Sequence, residues 1–212
     1  MEITLQQGTS DDMEHKRAYH HGDLPAQLLE AVRTLVEIHG PDGFSVAQAA
    51  RQAGVSSAAP YKHFADRNEI MRALVLVSMD RLRQQMIDAR DSHSAGSLEA
   101  MIAIGQCYID FASAEPGVFR LMFGLTEGHR DNPEIMEKGD ICFGVVIQSV
   151  ASYLRCAADD PRAAQGAYML WCFVHGHSFL TIDEKSELPK SEMTEHEMLR
   201  SVTLGILGPE QG

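Results

Sequence analysis

The sequence predicts an all-α protein: a small N-terminal three-helix unit joined to a larger helical body. Three observations lead there. Apolar residues recur at three- and four-residue steps along most of the 212 residues, and no stretch of any length alternates with period two. Helix-start signals, a capping side chain followed by Pro or by Glu, recur from Asp23 to Asp160. The charge is uneven as well: residues 15–72 carry 7 Lys/Arg and 6 Asp/Glu, whereas residues 91–212 carry 8 and 18.

Residues 1–14 are polar and aperiodic and read as a flexible arm. Residues 15–66 form the small unit. Asp23 caps a first helix with Pro25 in its first turn, and Leu24, Leu28, Ala31, Leu35 and Ile38 make its buried stripe. Gly40, Pro41 and Gly43 end it. Ser45 caps a second helix, 46–53, with Val46, Ala49, Ala50 and Ala53 facing inward, and Gly54 follows in the left-handed cap position. Ser56 or Ser57 caps a short third helix that runs to Phe64, with Pro60 tightening it and Phe64 turned inward. Two helices joined by a Gly-containing turn are the grammar of a helix-turn-helix.

The third helix has the surface of a reading element. Ser57, Ala58 and Ala59 are small, so its backbone can come close to a partner, and Tyr61, Lys62 and His63 can donate to phosphates. Asp66 caps a connecting helix, 67–90, with Glu69 closing a capping box and Ile70, Leu74, Val77 and Leu82 on the inner face. Arg67 stands at the start of that helix, where a cation is disfavoured, so it calls for an anion nearby. The DNA-contacting set expected from sequence is Ser45, Ser56, Ser57, Ala58, Ala59, Tyr61, Lys62, His63 and Arg67.

Residues 91–212 form the body. A flexible junction, 91–97, leads into an apolar helix from Leu98 to Ala114, broken at Glu115-Pro116-Gly117. A short helix runs from Val118 to Phe123, and 125–131 is a polar loop. Asn132-Pro133 opens a helix to 157, and Asp160-Pro161 opens another to 180. A charged loop with Pro189 precedes a last helix from Ser191 to Leu207. The two long helices are apolar on more than one face, which calls for a homodimer that covers them or a cavity that they line. Met101, Phe111, Phe119, Met122, Phe123, Phe143, Trp171 and His175 are the expected pocket, since Met and aromatic side chains suit flexible apolar ligands. Phe173 and Phe179 are further candidates, with Glu127, His129, Arg155 or His175 for a polar contact.

Several functions are excluded at this level. Cys107, Cys142, Cys156 and Cys172 are separated by 35, 14 and 16 residues, which matches no zinc spacing, and they read as buried thiols of a reducing cytosol. His20-His21, His175 and His177 have no partner at ligand spacing, so no metal is expected, nor any cofactor. No Ser–His–Asp set or glycine-rich phosphate loop is visible, so the chain is not read as an enzyme. No apolar run spans a membrane and no basic leader precedes one, so the chain is placed in the cytoplasm with no membrane partner.

Gly43-Phe44-Ser45, Ala50, Ala53-Gly54-Val55-Ser56, Tyr61-Lys62-His63-Phe64, Arg67, Glu69 and Ile70 resemble the N-terminal domain of the TetR family of bacterial transcriptional regulators. The likeness covers residues 20–75. It implies that 57–62 is the recognition helix, that Tyr61 and Lys62 contact phosphate, and that Arg67 stands for a basic residue, usually Lys. Ala49 stands where the family has a bulky Ile, and Pro60 where Leu or Thr is common. Trp171, His175 and Gly176, with Tyr19-His20-His21-Gly22-Asp23-Leu24 and Ala59-Pro60-Tyr61, resemble one subgroup with a Trp–His–Gly C-terminal domain.

The expectation is therefore an N-terminal three-helix helix-turn-helix DNA-binding domain plus a larger helical ligand-binding and dimerisation domain. Its partners would be a near-palindromic double-stranded DNA operator, a second copy and an unidentified small molecule. The expected function is transcriptional repression that an apolar ligand modulates. The competing expectation is a helical protein–protein adaptor without specific DNA binding.

Overall fold

The structure, a computed structural model, describes residues 24–124, 132–185 and 193–209. Among them are eight α-helices and one 3₁₀ turn, with no strand. The arm 1–14, the cap Asp23, the histidines His20 and His21, the loop 125–131 and the loop around Pro189 lie outside the described residues.

Helix α1, Leu24–His39, buries Leu28, Ala31, Val32, Leu35 and Val36. Ile38, expected inside, is 65% exposed, because it falls at the edge of the arc that Leu28, Val32 and Val36 define. Helix α2, Val46–Gln52, starts on a reciprocal cap. The Ser45 hydroxyl accepts the Gln48 N–H at 3.2 Å, and the Gln48 side chain accepts the Ser45 N–H at 2.7 Å. Gly54 then takes φ +73°, a conformation that costs only glycine nothing, and turns the chain.

The third element differs from expectation. It is a single 3₁₀ turn, Pro60–Lys62, and neither Ser56 nor Ser57 caps it. Pro60 has no N–H to return to Ser56 in an α-helical bond, and the Ala59 N–H takes the Ser56 carbonyl at 3.0 Å instead. Pro60 and Phe64 are buried, and the Phe64 N–H bonds back to the Pro60 carbonyl at 3.0 Å. Between these two anchors the turn is pinned.

Helix α3, Arg67–Asp91, is capped by Asp66, whose carboxylate accepts the Glu69 N–H at 2.8 Å. Glu69 reaches back to the Ala65 N–H at 2.5 Å, one residue short of the expected capping box. Val77 is exposed, since the buried face follows Leu74, Ser78 and Leu82. The junction after α3 is a hydrogen-bonded turn, with Ser92 and His93 bonded back to Asp88 and Arg90.

In the body, α4 (Leu98–Ala114) is central and touches α3, α5 (Pro116–Phe123), α6 (Pro133–Leu154), α7 (Pro161–Ile182) and α8 (Glu195–Leu207). Asn132 and Asp160 cap α6 and α7 with Pro at the first position, as the sequence signals require. Helix α6 stops at Leu154 and not at 157, because Arg155 takes φ 52°. Helix α8 begins at Glu195 and not at Ser191: Thr194 and Glu197 form a capping box there.

Head and body meet where α1 crosses the start of α5. The Glu37 carboxylate of α1 accepts the Gly117 N–H at 2.9 Å and the Val118 N–H at 2.7 Å. Those are the free amides of a helix N-terminus, where a carboxylate is favoured. Next to it Glu115 pairs with Arg81 of α3 at 2.6 Å and with Arg33 of α1 at 3.5 Å. Gly117 permits the approach: a Cβ there would lie 2.6 Å from the Val36 carbonyl oxygen and 3.1 Å from the Glu37 Cα.

Gly117→Ala must push α1 and α5 apart. It is expected to cost about 1–3 kcal/mol in thermal or denaturant unfolding. Gly139→Ala, where a Cβ would meet nothing within 4 Å, is the control and should be neutral or stabilising by roughly 0.5–1 kcal/mol.

Candidate DNA-binding face and ligand cavity

The turn after Gly54 carries the exposed side chains of the head. Ser45, Ser56, Ser57, Ala58, Tyr61, Lys62 and His63 are exposed, and Ala59 is half-buried. Burial of Pro60 and Phe64 fixes the backbone, so Tyr61, Lys62 and His63 are held outward without a full helix beneath them. Lys62 makes no ion pair among the described residues and is free to meet a phosphate. Arg51, in the last turn of α2, is exposed and equally unpaired. Sequence reasoning passed over Arg51; its place opposite the inward Val46, Ala49 and Ala50 was the available signal.

Arg67, expected among the DNA contacts, has partners within the protein. Its guanidinium donates to the Pro41 carbonyl, sits 3.9 Å from the Asp42 carboxylate and lies 4.8 Å over the Phe44 ring. The protein itself supplies the electron-rich partners that its position calls for. Arg67 ties the α1–α2 turn to the start of α3, and so it holds the head together.

The body is hollow. A cavity of about 290 Å³ lies between α3, α4, α5, α6, α7 and α8. Met101, Met122, Phe123, Phe143 and Trp171, all expected, line it. Met79, Leu82, Met86 and Cys142 also line it and were not expected. Methionines of α3 were missed because their spacing reads equally well as solid core. Phe111, Phe119 and His175 stand behind the wall. Phe119 is fully buried and meets the Tyr108 ring edge-on at 5.6 Å; the Phe111 ring lies under the Arg81 guanidinium at 5.3 Å. Phe173 is in the lining and Phe179 is not. Arg155 ends α6 away from the cavity, and Glu127 and His129 lie outside the described residues.

The polar core of the wall is Tyr108. Its hydroxyl accepts the Trp171 Nε1–H at 3.3 Å and lies 2.8 Å from His175 Nδ1. Burial pushes the Tyr108 phenol well above its ordinary value and pulls the His175 imidazole below 6.5. With the Trp171 N–H donating to the phenol oxygen, the phenol hydrogen is free to point at Nδ1 of an imidazole whose own proton is on Nε2. His175 is surrounded by the rings of Phe179 at 4.9 Å, Phe123 at 5.0 Å and Trp171 at 5.3 Å.

No three His, Cys, Asp or Glu side chains converge to hold a metal among the described residues. His177 stacks on Phe173 and lies 3.7 Å from Glu195. The Cys107 and Cys142 thiols are pushed up to about 11 by burial, and all four cysteines are unbridged. No described helix is long and apolar enough to cross a membrane.

A helix-turn-helix head clamped to a hollow helical body defines the class: a transcriptional regulator of the two-part helical kind. The family description "Bacterial regulatory proteins, tetR family" matches residues 28–74, and "Tetracyclin repressor-like, C-terminal domain" matches 101–201. Between them they take in more than two thirds of the chain, which belongs to the TetR family of regulators. It is similar to the uncharacterized HTH-type transcriptional regulator YobS of Bacillus subtilis, 23% identical over 84% of this chain and 86% of that protein. In fold it is similar to a protein of unknown function from Rhodococcus sp. RHA1, at a TM-score of 0.75 and 24% identity over 92% of this chain and all of that one. The regulator FadR of Bacillus subtilis, in complex with stearoyl-CoA, is also similar in fold. There the TM-score is 0.66 and the identity 12%, over 87% of this chain and 99% of that one.

Two expected outcomes follow from this geometry. Lys62→Ala should weaken binding to any duplex and lower the slope of log affinity against log salt by about one unit. Arg67→Ala should lower the melting temperature of the protein and leave that slope unchanged, as fluorescence anisotropy across a salt series would read.

A third expected outcome concerns pH. The folded-state value of His175 lies below its unfolded value, so the unfolded chain binds the proton first. Its contribution to stability is present above pH 6.5 and declines as the pH falls through that value toward the lower folded one. Melting curves between pH 5 and 8 should show this loss, and His175→Gln should reduce it.

Proposed function

We propose that this protein is a dimeric, sequence-specific DNA-binding repressor whose grip on a near-palindromic operator is modulated by a small, largely apolar ligand in the body cavity. We also place it in the subgroup with the Trp–His–Gly C-terminal domain, on Trp171, His175 and Gly176. The observation that carries the reading is the position of α5. Its C-terminal residues Met122 and Phe123 are cavity wall, and its N-terminal amides at Gly117 and Val118 are held by Glu37 of the head. A ligand that moves one end of an eight-residue helix moves the other. FadR of Bacillus subtilis, which resembles this chain in fold, was solved with stearoyl-CoA, and that supports a ligand-responsive body.

The dimer reading rests on α7. Tyr168, Cys172, Gly176 and Leu180 recur at four-residue steps on its outer side with Met169 beside them, and all five are exposed. An apolar stripe on a body helix fits a two-fold four-helix interface, which would bury more than about 1,000 Å² in total. The two heads would then enter successive major grooves about 34–36 Å apart.

Titration of DNA from the chain's own upstream region tests the proposal. Expected are a salt-dependent shift, two chains per duplex, and a mass in light scattering of twice 23.4 kDa. A ligand that regulates must bind the free and the DNA-bound protein with affinities differing by roughly 5–150-fold. A monomer that shifts no promoter DNA would favour the helical adaptor instead.

A further inference from the structure

The cavity has a chemical polarity along its length. Its lining on α3 runs from Met79 to Met86, about 10 Å of helix at 1.5 Å per residue. Met86, Met101, Leu199 and Val202 give it apolar wall, with Thr203 beside them. Gly139 and Asp140, at the beginning of α6, make one end. Asp140 is exposed and also borders the groove outside with Met136, Glu137 and Ile141, so this end is the mouth. A Cβ on Gly139 would meet nothing within 4 Å, so the space beside it is open.

Three features at this mouth point the same way. The Asp140 carboxylate has no ion-pair partner among the described residues, and its nearest basic neighbour in sequence, Lys138, is occupied by both oxygens of Asp80 at 2.6 Å. Phe143 is one helical turn on from Asp140, so the carboxylate and the ring share a face of α6. Across from it stands Trp171, its ring 5.6 Å from that of Phe143. A carboxylate and two aromatic rings in one cavity lining are complementary to a cation with apolar substituents. Arg83 of α3 acts on the Cys142 thiol through its charge, but it does not line the cavity.

We infer that the ligand of this cavity is an elongated cationic amphiphile: an apolar tail about 10 Å long with one amine or ammonium group at Asp140, against Phe143 and Trp171. The inference rests on the reading of the cavity as the effector site. The anionic alternative would set its charge against Asp140, with Glu137 one turn back on α6.

Trp171 is the chain's one tryptophan, so its fluorescence reports on the cavity wall directly. Octylamine, octanol and octanoate, titrated at pH 7 into the whole protein, separate the possibilities. Octylamine should bind about ten-fold more tightly than octanol, and octanoate more weakly than either. Asp140→Asn should cost octylamine about two- to five-fold and leave octanol unchanged, whereas Glu137→Gln should change neither. Equal affinities, or octanoate binding most tightly, would overturn the cationic inference and leave the effector cavity standing. No response of Trp171 to any of the three would remove the effector-cavity reading as well.

Discussion

The structure depends on one contact: the carboxylate of Glu37 on the first amides of α5. Helix α1 belongs to the head and α5 to the body, and the two come within van der Waals distance only because residue 117 has no side chain. Glu115 completes the joint by holding Arg33 from α1 and Arg81 from α3 on one carboxylate. Arg33 is further tied to Glu30, and Arg81 lies over the Phe111 ring. These side chains are partly exposed, so each pair alone contributes little. Their value is positional. Removing Glu115 would leave Arg33 with Glu30 alone and Arg81 without an ion-pair partner, so the joint between α1, α3 and α5 would lose its shared carboxylate.

How much of this was legible in sequence differs by element. The bounds of α4 and the starts of α6 and α7 follow from local chemistry, because Ser97, Asn132-Pro133 and Asp160-Pro161 act on their own first turns. The third head element was misread as a helix for an equally local reason: the lost N–H of Pro60 outweighed the capping potential of Ser56 and Ser57. Arg67 was legible as a cation in an unfavourable place. Its partners within the protein, the Pro41 carbonyl and the Phe44 ring, lie more than 20 residues back and only the fold brings them near. Glu37 carried no signal at all, since an acid on a helix surface usually faces solvent.

The cavity shows the same limit from the other side. Composition announces that Met and aromatic residues are abundant in the body, but not which of them back a void and which fill one. Phe119 and Phe123 sit four residues apart on one helix, yet the first is fully buried and the second is wall. Tyr108 stands against both: its ring meets Phe119 at 5.6 Å and Phe123 at 6.1 Å, and its hydroxyl is engaged by Trp171 and His175. A buried phenol with both bonding roles filled stiffens three helix faces at once. That stiffness keeps the apolar space beside it from collapsing.

Helix α5 is the part whose position is least its own. Eight residues are too few to be a stable helix in isolation, so its place is set by what holds its two ends. At the N-terminal end the holders are charged and directional: Glu37 on two amides, with Glu115 as the residue before the helix. At the C-terminal end they are apolar and compliant: Met122 and Phe123 against the cavity. Arg120 adds a tether to the end of α7, through the Ile182 carbonyl at 2.7 Å and Asp183 at 2.9 Å. Rings and thioethers can shift by small steps at little cost, whereas two hydrogen bonds to one carboxylate either form or break. On the proposed ligand-responsive reading, a displacement that enters gradually at the cavity would leave at the head as the loss or gain of those two bonds.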